Sequence, residues 1–577
     1  MVRSTKISRL SSVQDIDPAA AQAGSAKRSK RRRGRKAQLE VVPELSRKEE
    51  RALKRQADKD RRELVQYTVY TLFAAALAGV VVSLLVSPKI GAGAMVAILC
   101  LGLSFRYPRQ AIFAFIIYLP FSGTVTYALG GSGILQLAKD AIYIPALIGV
   151  IQFCRKNQQI FVIPPALKLP LGILLTILSM TMLFVNVPQQ LSAGTSEYPF
   201  LIGILGLKIL LGYLPLITCV YYLIRDREDL YFLLRIQVVV ILICCALGLV
   251  QYMMLRTGIC RGTVGTGEAL FKASLDARCF VGGSLLYSPS QGQIRLPGTF
   301  VAPWQWGWFL ISSGFFCFGT TFSDRNPLWR AIGLVSLVAV CIMAVLSGQR
   351  IALLLVPVTV AGLLVLTGQI VNFKRFIPIG IAAALIVSIL VGQNPALISD
   401  RWSSFQARWQ ASPPQEFIQE QFGWALSKQE GILGRGIGRA TNSARMFGKV
   451  QLVETYHPKL LFEIGPLGLL ATLALYTVLT VATFRAYRSV KDPNLRGYAA
   501  SMWVFVLFIS YFPYYYPLDV DPVNVYYWLA AGIVMKLPAL DRQERFRQSE
   551  VDPGRKRRLS KRELKQLKAQ EAAATFD

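Results

Sequence analysis

The chain holds one histidine, His457, in the stretch Glu454-Thr-Tyr-His-Pro-Lys-Leu-Leu-Phe-Glu-Ile-Gly-Pro-Leu-Gly468. A polar loop ends there and a long apolar run begins, so the imidazole falls at a helix mouth. With an ordinary pKa of about 6.5, imidazole is the side chain best suited to take a proton at neutral pH. It serves equally well to cap or pack a helix start. Cations recur where apolar sequence makes them costly. Arg350 follows Leu346-Ser-Gly-Gln349 between two apolar runs, Lys208 lies inside a run, Lys139 and Asp140 open another, and Arg295 precedes one in Arg295-Leu-Pro-Gly-Thr-Phe-Val-Ala-Pro303. A charge near hydrocarbon must pair, face a wet cavity or snorkel to the headgroups. Basic residues gathered at one surface would bind an anion, and the planar fork of arginine suits a diphosphate. Arg435 and Arg439 add charge in Gly431-Ile-Leu-Gly-Arg-Gly-Ile-Gly-Arg439. No strand precedes that run, so it is not a dinucleotide fingerprint but a tight turn whose backbone can approach a ligand. Asp519-Val-Asp521 is a weak metal candidate: such a pair can hold a divalent cation on a sugar diphosphate. It caps a helix equally well, with Pro522 at the first helical position.

The elements that must position these groups are apolar. Of 577 residues, 53% are hydrophobic. Runs near the roughly 20 residues needed to cross ~30 Å of hydrocarbon recur along most of the chain. Only helices satisfy their own backbone in lipid, so the expected fold is an all-α polytopic membrane protein. About 14 spans are expected, over 67–87, 90–105, 110–129, 139–153, 168–187, 201–224, 231–255, 302–322, 328–347, 351–370, 376–393, 459–484, 497–514 and 522–537. The net charge of +31 does not imply nucleic acid, because much of it lies in two tails and short loops, as the positive-inside rule gives. With the N-terminus inside, every cytoplasmic loop is basic or mixed. Both tails are then cytoplasmic, and large loops at 256–301 and 394–458 lie outside. The chain thus divides into a basic tail at 1–65, a membrane domain at 66–538 and a second basic tail at 539–577. No cleavable signal precedes the first run, and the expected location is the plasma (inner) membrane, multi-pass. Lys27-Arg-Ser-Lys-Arg-Arg-Arg-Gly-Arg-Lys36 would fix topology or rest on anionic lipid. Ser46-Arg-Lys-Glu49 and Ser560-Lys-Arg-Glu563 are capping boxes.

The nine cysteines show no CxxC spacing. Cys260 and Cys279 share the first outer loop, where a disulfide would close about 20 residues and contribute about 3 kcal/mol. In the second outer loop, 398–412 is expected to form an amphipathic helix with Trp402, Phe405 and Trp409 on one side, and 416–429 a second helix. Aromatics beside polar groups suit a sugar chain; they equally suit a lid resting on lipid.

Four pieces together resemble the O-antigen ligase and polymerase superfamily of membrane glycosyltransferases. They are Arg295-Leu-Pro-Gly-Thr-Phe300; Ser347-Gly-Gln-Arg350; Gly423-Trp-Ala-Leu426 leading to Gly431-Ile-Leu-Gly-Arg-Gly-Ile-Gly438; and His457 followed by Glu463-Ile-Gly-Pro-Leu-Gly468. Order and spacing match over about residues 290–470. The chain departs at Pro458 and Trp304, where the family usually has asparagine. The long tails and the Cys279–Pro289 loop look most like cyanobacterial hormogonium polysaccharide biosynthesis proteins. The resemblance implies transfer or polymerisation of glycan from a polyprenyl-diphosphate-linked oligosaccharide onto a glycan or lipid acceptor hydroxyl at the outer face. It implies that Arg350 and Arg295 bind the diphosphate and His457 assists the acceptor, with no cofactor and no metal. The alternative is a membrane transporter for bicarbonate or another anion, an activity assigned to some proteins of the same superfamily.

Overall fold

The computed structural model describes residues 47–551 except 132–137, 157, 159–160, 162, 193, 195–196, 265–269, 271, 289–292, 370–398, 400–402, 404, 408 and 411–412. The chain divides into two units, Met1–Tyr67 and Thr68–Asp577. The described part of the first is helical, and α1 (Arg47–Leu85) begins there.

Helix starts follow local chemistry. Proline opens α2 (Pro88–Arg106), α3 (Pro108–Tyr118), α6 (Pro165–Thr181), α8 (Pro199–Leu211), α11 (Pro303–Ser323), α12 (Pro327–Leu346), α14 (Pro414–Lys428) and α16 (Pro493–Tyr511). Its missing N–H has no helical partner to lose there. Ser87, Asp226, Asn326 and Asp492 accept first-turn N–H groups as caps. The other helices are α4 (Ser122–Ala128), α5 (Ala138–Lys156), α7 (Val187–Ser192), α9 (Leu216–Leu223), α10 (Arg227–Arg256), α13 (Arg350–Leu366), α15 (Tyr456–Ser489) and α17 (Val523–Val551).

Among the described residues, seven helices are long and apolar enough to cross a membrane, and the bent pair α8–α9 makes an eighth if it counts as one span. The chain is therefore a multi-pass helical membrane protein. The expected spans at 90–105, 139–153, 302–322, 351–370 and 497–514 also coincide with helices. Of these, α2 and α13 are short, and α5, α11 and α16 carry charges or many aromatic and small polar residues. The expected span at 376–393 lies outside the described residues, as does most of 398–412.

One feature departs from an all-helical expectation. A hairpin, β1 (Leu286–Ser288) against β2 (Gln293–Arg295), forms in the 256–301 loop. In the long loop before α15, α14 forms close to the helix expected over 416–429. In addition, α17 runs past residue 538 without a break.

The loops gather at two ends of the bundle. At one, Arg109 pairs with Asp229 at 2.6 Å, Arg227 with Asp492 at 2.9 Å and Arg235 with Asp324 at 2.8 Å. At the other end sit the starts of α5, α11, α13, α15 and α17, together with the Cys260–Cys279 disulfide loop. Between them the core is aromatic: Trp306, Trp308, Trp528, Tyr476, Tyr498 and Tyr527 are fully buried.

Candidate functional site

His457 lies in the first turn of α15 and is 9% exposed. The chain enters this helix under a tyrosine-rich loop: the Tyr456 N–H donates to the Tyr515 carbonyl at 2.9 Å. Tyr515 adopts a left-handed φ of 60°, a conformation a non-glycine residue keeps only when its surroundings impose it. The imidazole hydrogen-bonds the main chain of Ser510 through one nitrogen, while Nε2 is buried with no hydrogen-bond partner among the described residues. Ser510 stands in the last turn of α16, where a carbonyl has no helical N–H to accept. The tautomer follows from that bond: Nδ1–H donates to Ser510, and the Nε2 lone pair is left open. Most buried polar atoms have a partner, and leaving one without costs about 1–3 kcal/mol. The orphan Nε2 is therefore a candidate acceptor for a hydroxyl, of a ligand or of water.

A buried ionic frame holds the surroundings of His457. Lys459, on the same turn, contacts Asp519; the two side chains are 4% and 6% exposed. One turn on, Glu463 accepts the Ala440 N–H at 2.7 Å and the Thr441 hydroxyl at 3.1 Å. That carboxylate ties the glycine-rich turn to α15. The turn's glycines serve the same purpose. A Cβ on Gly434 would meet the Gly465 nitrogen at 2.6 Å, and one on Gly465 would meet the Ile432 carbonyl at 2.2 Å. The turn thus brings its backbone against the kink of α15, where a ligand approach was anticipated. Asn186 supports it from the far side: it sits in the π-helical turn Met182–Asn186 and bonds both the N–H and the carbonyl of Ile437. α14 lies over α15, with Trp424 against Phe462 at 5.2 Å and Phe417 against Tyr514 at 5.5 Å. Lys459 and Glu463 were not picked out as site residues from the sequence. The signal for them was present: opposite charges four residues apart inside an apolar helix.

The segments that carry the two expected phosphate-binding arginines meet at a second corner. Arg295 ends β2, and the next N–H, Leu296, donates to the Ser347 carbonyl at 2.9 Å. Gly348, at φ +68°, lies so close to Ile294 that a Cβ would meet its carbonyl at 1.8 Å. Arg350 opens α13 from that corner, and the neighbouring Gln349 keeps a buried Nε2 without a hydrogen-bond partner among the described residues. A string of contacts runs from there to His457. Gly307 of α11 faces Gln349 and Ile351; the adjacent Trp308 packs edge-on against Phe512 at 5.5 Å; Ser510, two residues earlier, holds the imidazole. His457 and Arg350 therefore stand at the same end of the bundle, with α11 and α16 between them.

The remaining candidates have partners within the chain. Lys208 pairs with Asp140 at 2.8 Å, and Tyr213 donates to the same carboxylate at 3.1 Å. Arg435 pairs with Glu430 at 2.6 Å and donates to the Lys428 carbonyl. Arg439 donates to Gln189 at 2.8 Å and pairs with Glu197 at 3.2 Å. Each of these three basic residues, expected to add positive charge for substrate, has an acidic partner within the chain. Asp519 and Asp521, the weak metal candidates, each hold a lysine: Lys459 and Lys139. Burial pushes the Asp519 carboxyl above the usual range although Lys459 opposes it. Burial acts the same way on Asp521, but Lys139 and Lys208 outweigh it and hold that carboxyl below the usual range.

Compared with models of known protein families and with curated proteins, the chain matches none.

Proposed function

We propose that this protein is a membrane glycosyltransferase of the O-antigen ligase and polymerase type. It transfers or polymerises glycan from a polyprenyl-diphosphate donor at the outer face of the plasma membrane. In this reading the chain crosses about 14 times with both basic tails in the cytoplasm, so the end bearing His457 and Arg350 faces out. The observation that carries the reading is the open, buried Nε2 of His457, oriented through its other nitrogen by Ser510. In the reaction an acceptor hydroxyl gives its proton to Nε2 as its oxygen bonds the anomeric carbon. The bond from that carbon to the diphosphate breaks and the diphosphate leaves with its charge; the reading requires the arginine corner to reach that charge past the ends of α11 and α16, which stand between Arg350 and His457. Proton transfer of this kind contributes typically about 10²–10⁴-fold, and charge stabilisation in a dry site contributes more.

The test is His457→Asn beside His457→Ala in a complemented null strain. Asparagine keeps an N–H where Nδ1–H stands but accepts no proton. Both variants are expected in the membrane at normal level, with extracellular polymer reduced at least ~100-fold. Normal polymer from either removes the role. Lipid-linked glycans in the null strain separate the two activities: single repeat units accumulate without a polymerase, long chains without a ligase.

A second reading, an anion transporter, is favoured by one observation. α8 and α9 form a span bent by 45°, and the Lys208–Asp140 pair lies beside the break. Broken helices with intramembrane charge are the usual frame of transport sites.

A further inference from the structure

The break in the α8–α9 span has a consequence at the opposite end of the bundle. Gly212-Tyr-Leu-Pro215 interrupts the helix, and Pro215 supplies no N–H to continue it. The released backbone is satisfied by neighbours: the Gly212 carbonyl accepts the Tyr143 hydroxyl at 3.0 Å, and the Ile209 carbonyl accepts the Asn524 amide at 2.7 Å. That satisfaction lets the bend persist within lipid. Beyond it, α9 diverges from α6 and leaves a cavity of about 220 Å³. Phe161, Leu167, Leu171, Leu214, Pro215 and Ile217 are among its walls, which are almost wholly apolar. The cavity is open on one side, and left empty its lining lacks partner atoms there. Water gains nothing there, because it needs two or more polar partners. In a bilayer the filler to hand is a hydrocarbon chain.

The residues that neighbour the cavity's walls in the chain identify the rest of the molecule. Arg155 and Lys156 end α5 a few residues before Phe161, and Lys168 follows Leu167 in α6; all three are exposed. They belong to the end that carries the Arg109–Asp229 and Arg227–Asp492 pairs. We infer that the α6–α9 cavity is a binding site for an anionic phospholipid, one acyl chain between α6 and α9 and the phosphate among Arg155, Lys156 and Lys168. The site is remote from His457 and independent of the transferase reading. Its occupant fixes the angle of the broken span, and through α8 the position of Lys208.

The probe is phosphatidylglycerol against phosphatidylcholine. Full-length protein is reconstituted in discs containing both and exchanged into detergent, and retained phospholipid is measured by mass spectrometry. Wild type is expected to retain phosphatidylglycerol in preference. Leu171→Trp and Leu175→Trp, which fill the cavity from one wall and its rim, are expected to retain none while eluting as wild type. Replacing Arg155, Lys156 and Lys168 with glutamine is expected to keep phospholipid but reduce the headgroup preference by about 100-fold, roughly fivefold per basic residue. Equal retention of both lipids by wild type overturns the inference, as does undiminished phosphatidylglycerol on either tryptophan variant that remains folded.

Discussion

Replacing Lys459 with methionine tests whether the frame around His457 is held by charge. The two members of the Lys459–Asp519 pair are 4% and 6% exposed, so solvent screens them little. Removing one partner of such a pair leaves the other charge buried and destabilises by about 3–5 kcal/mol, whereas replacing both with apolar groups is often neutral or stabilising. Lys459→Met and Asp519→Leu alone are therefore each expected to lower stability by about that amount, and the double variant to recover most of it. The assay is the unfolding midpoint of detergent-purified protein, followed by size exclusion at pH 7. Strictly additive losses would show that the pair is incidental and that the Tyr515 loop is held by something else.

pH adds a second arm with a definite sign. Burial already raises the Asp519 pKa against the pull of Lys459, and deleting Lys459 raises it further. A carboxyl whose folded pKa exceeds its unfolded value of about 3.9 binds its proton in the folded state across the interval between them. Stability falls as pH rises through that interval and is level above it. The Lys459→Met deficit should therefore be smaller at pH 5 than at pH 8. Asp521 behaves oppositely: Lys139 and Lys208 hold its pKa down, so its contribution is present above about 3.9 and is lost as pH falls through the folded value. A deficit that grows on acidification would assign the effect to Asp521 and refute the assignment to Asp519.

Three further outcomes follow. Gly465→Ala places a Cβ 2.2 Å from the Ile432 carbonyl at φ +69°; a loss of at least about 1–3 kcal/mol and faster proteolysis of the 431–441 turn are expected. Glu463→Gln keeps an acceptor for Ala440 and Thr441, while Glu463→Ala leaves both donors unpaired. The alanine variant should have the lower midpoint, by about 1–3 kcal/mol per orphaned group. Cys260→Ser removes the Cys260–Cys279 disulfide and should lower stability by about 2–5 kcal/mol; reductant should then have no further effect on the midpoint.

Where apolar run length or a turn residue decides structure, the sequence was informative. Pro493 after Asp492, Pro327 after Asn326 and Pro88 after Ser87 mark helix starts with their caps, and α14 begins two residues before the expected 416. The hairpin at 286–295 was missed, because three-residue strands carry almost no periodicity. Partner choice was the least legible. Lys208, Arg435 and Arg439 were read as positive charge for substrate; their partners Asp140 and Glu197 come from distant parts of the chain and Glu430 from the same turn. The glycine-rich turn is a related case. Close backbone approach is visible in the residue type; what approaches, here Gly465, is fixed only by the tertiary arrangement.

The two functional readings call for separation by point substitution. Deleting 398–430 to ask whether the outer loop is dispensable would remove α14, whose Ala425 forms a buried cluster with Ala440, Val453, Leu461 and Phe462. The turn held by Glu463 would lose its cover, and either activity would fail for want of structure. His457→Asn preserves that packing and removes only the proton acceptor. An anion path through the α8–α9 break does not need the Nε2 of His457. A transporter should then move labelled bicarbonate into proteoliposomes normally with His457→Asn and fail with Asp140→Asn, which strips the charge partner from Lys208. A transferase should show the reverse priority: polymer lost with His457→Asn, and no bicarbonate flux from wild type to lose. Flux in wild type that survives His457→Asn, together with unchanged polymer, would move the site from the head of α15 to the bend between α8 and α9.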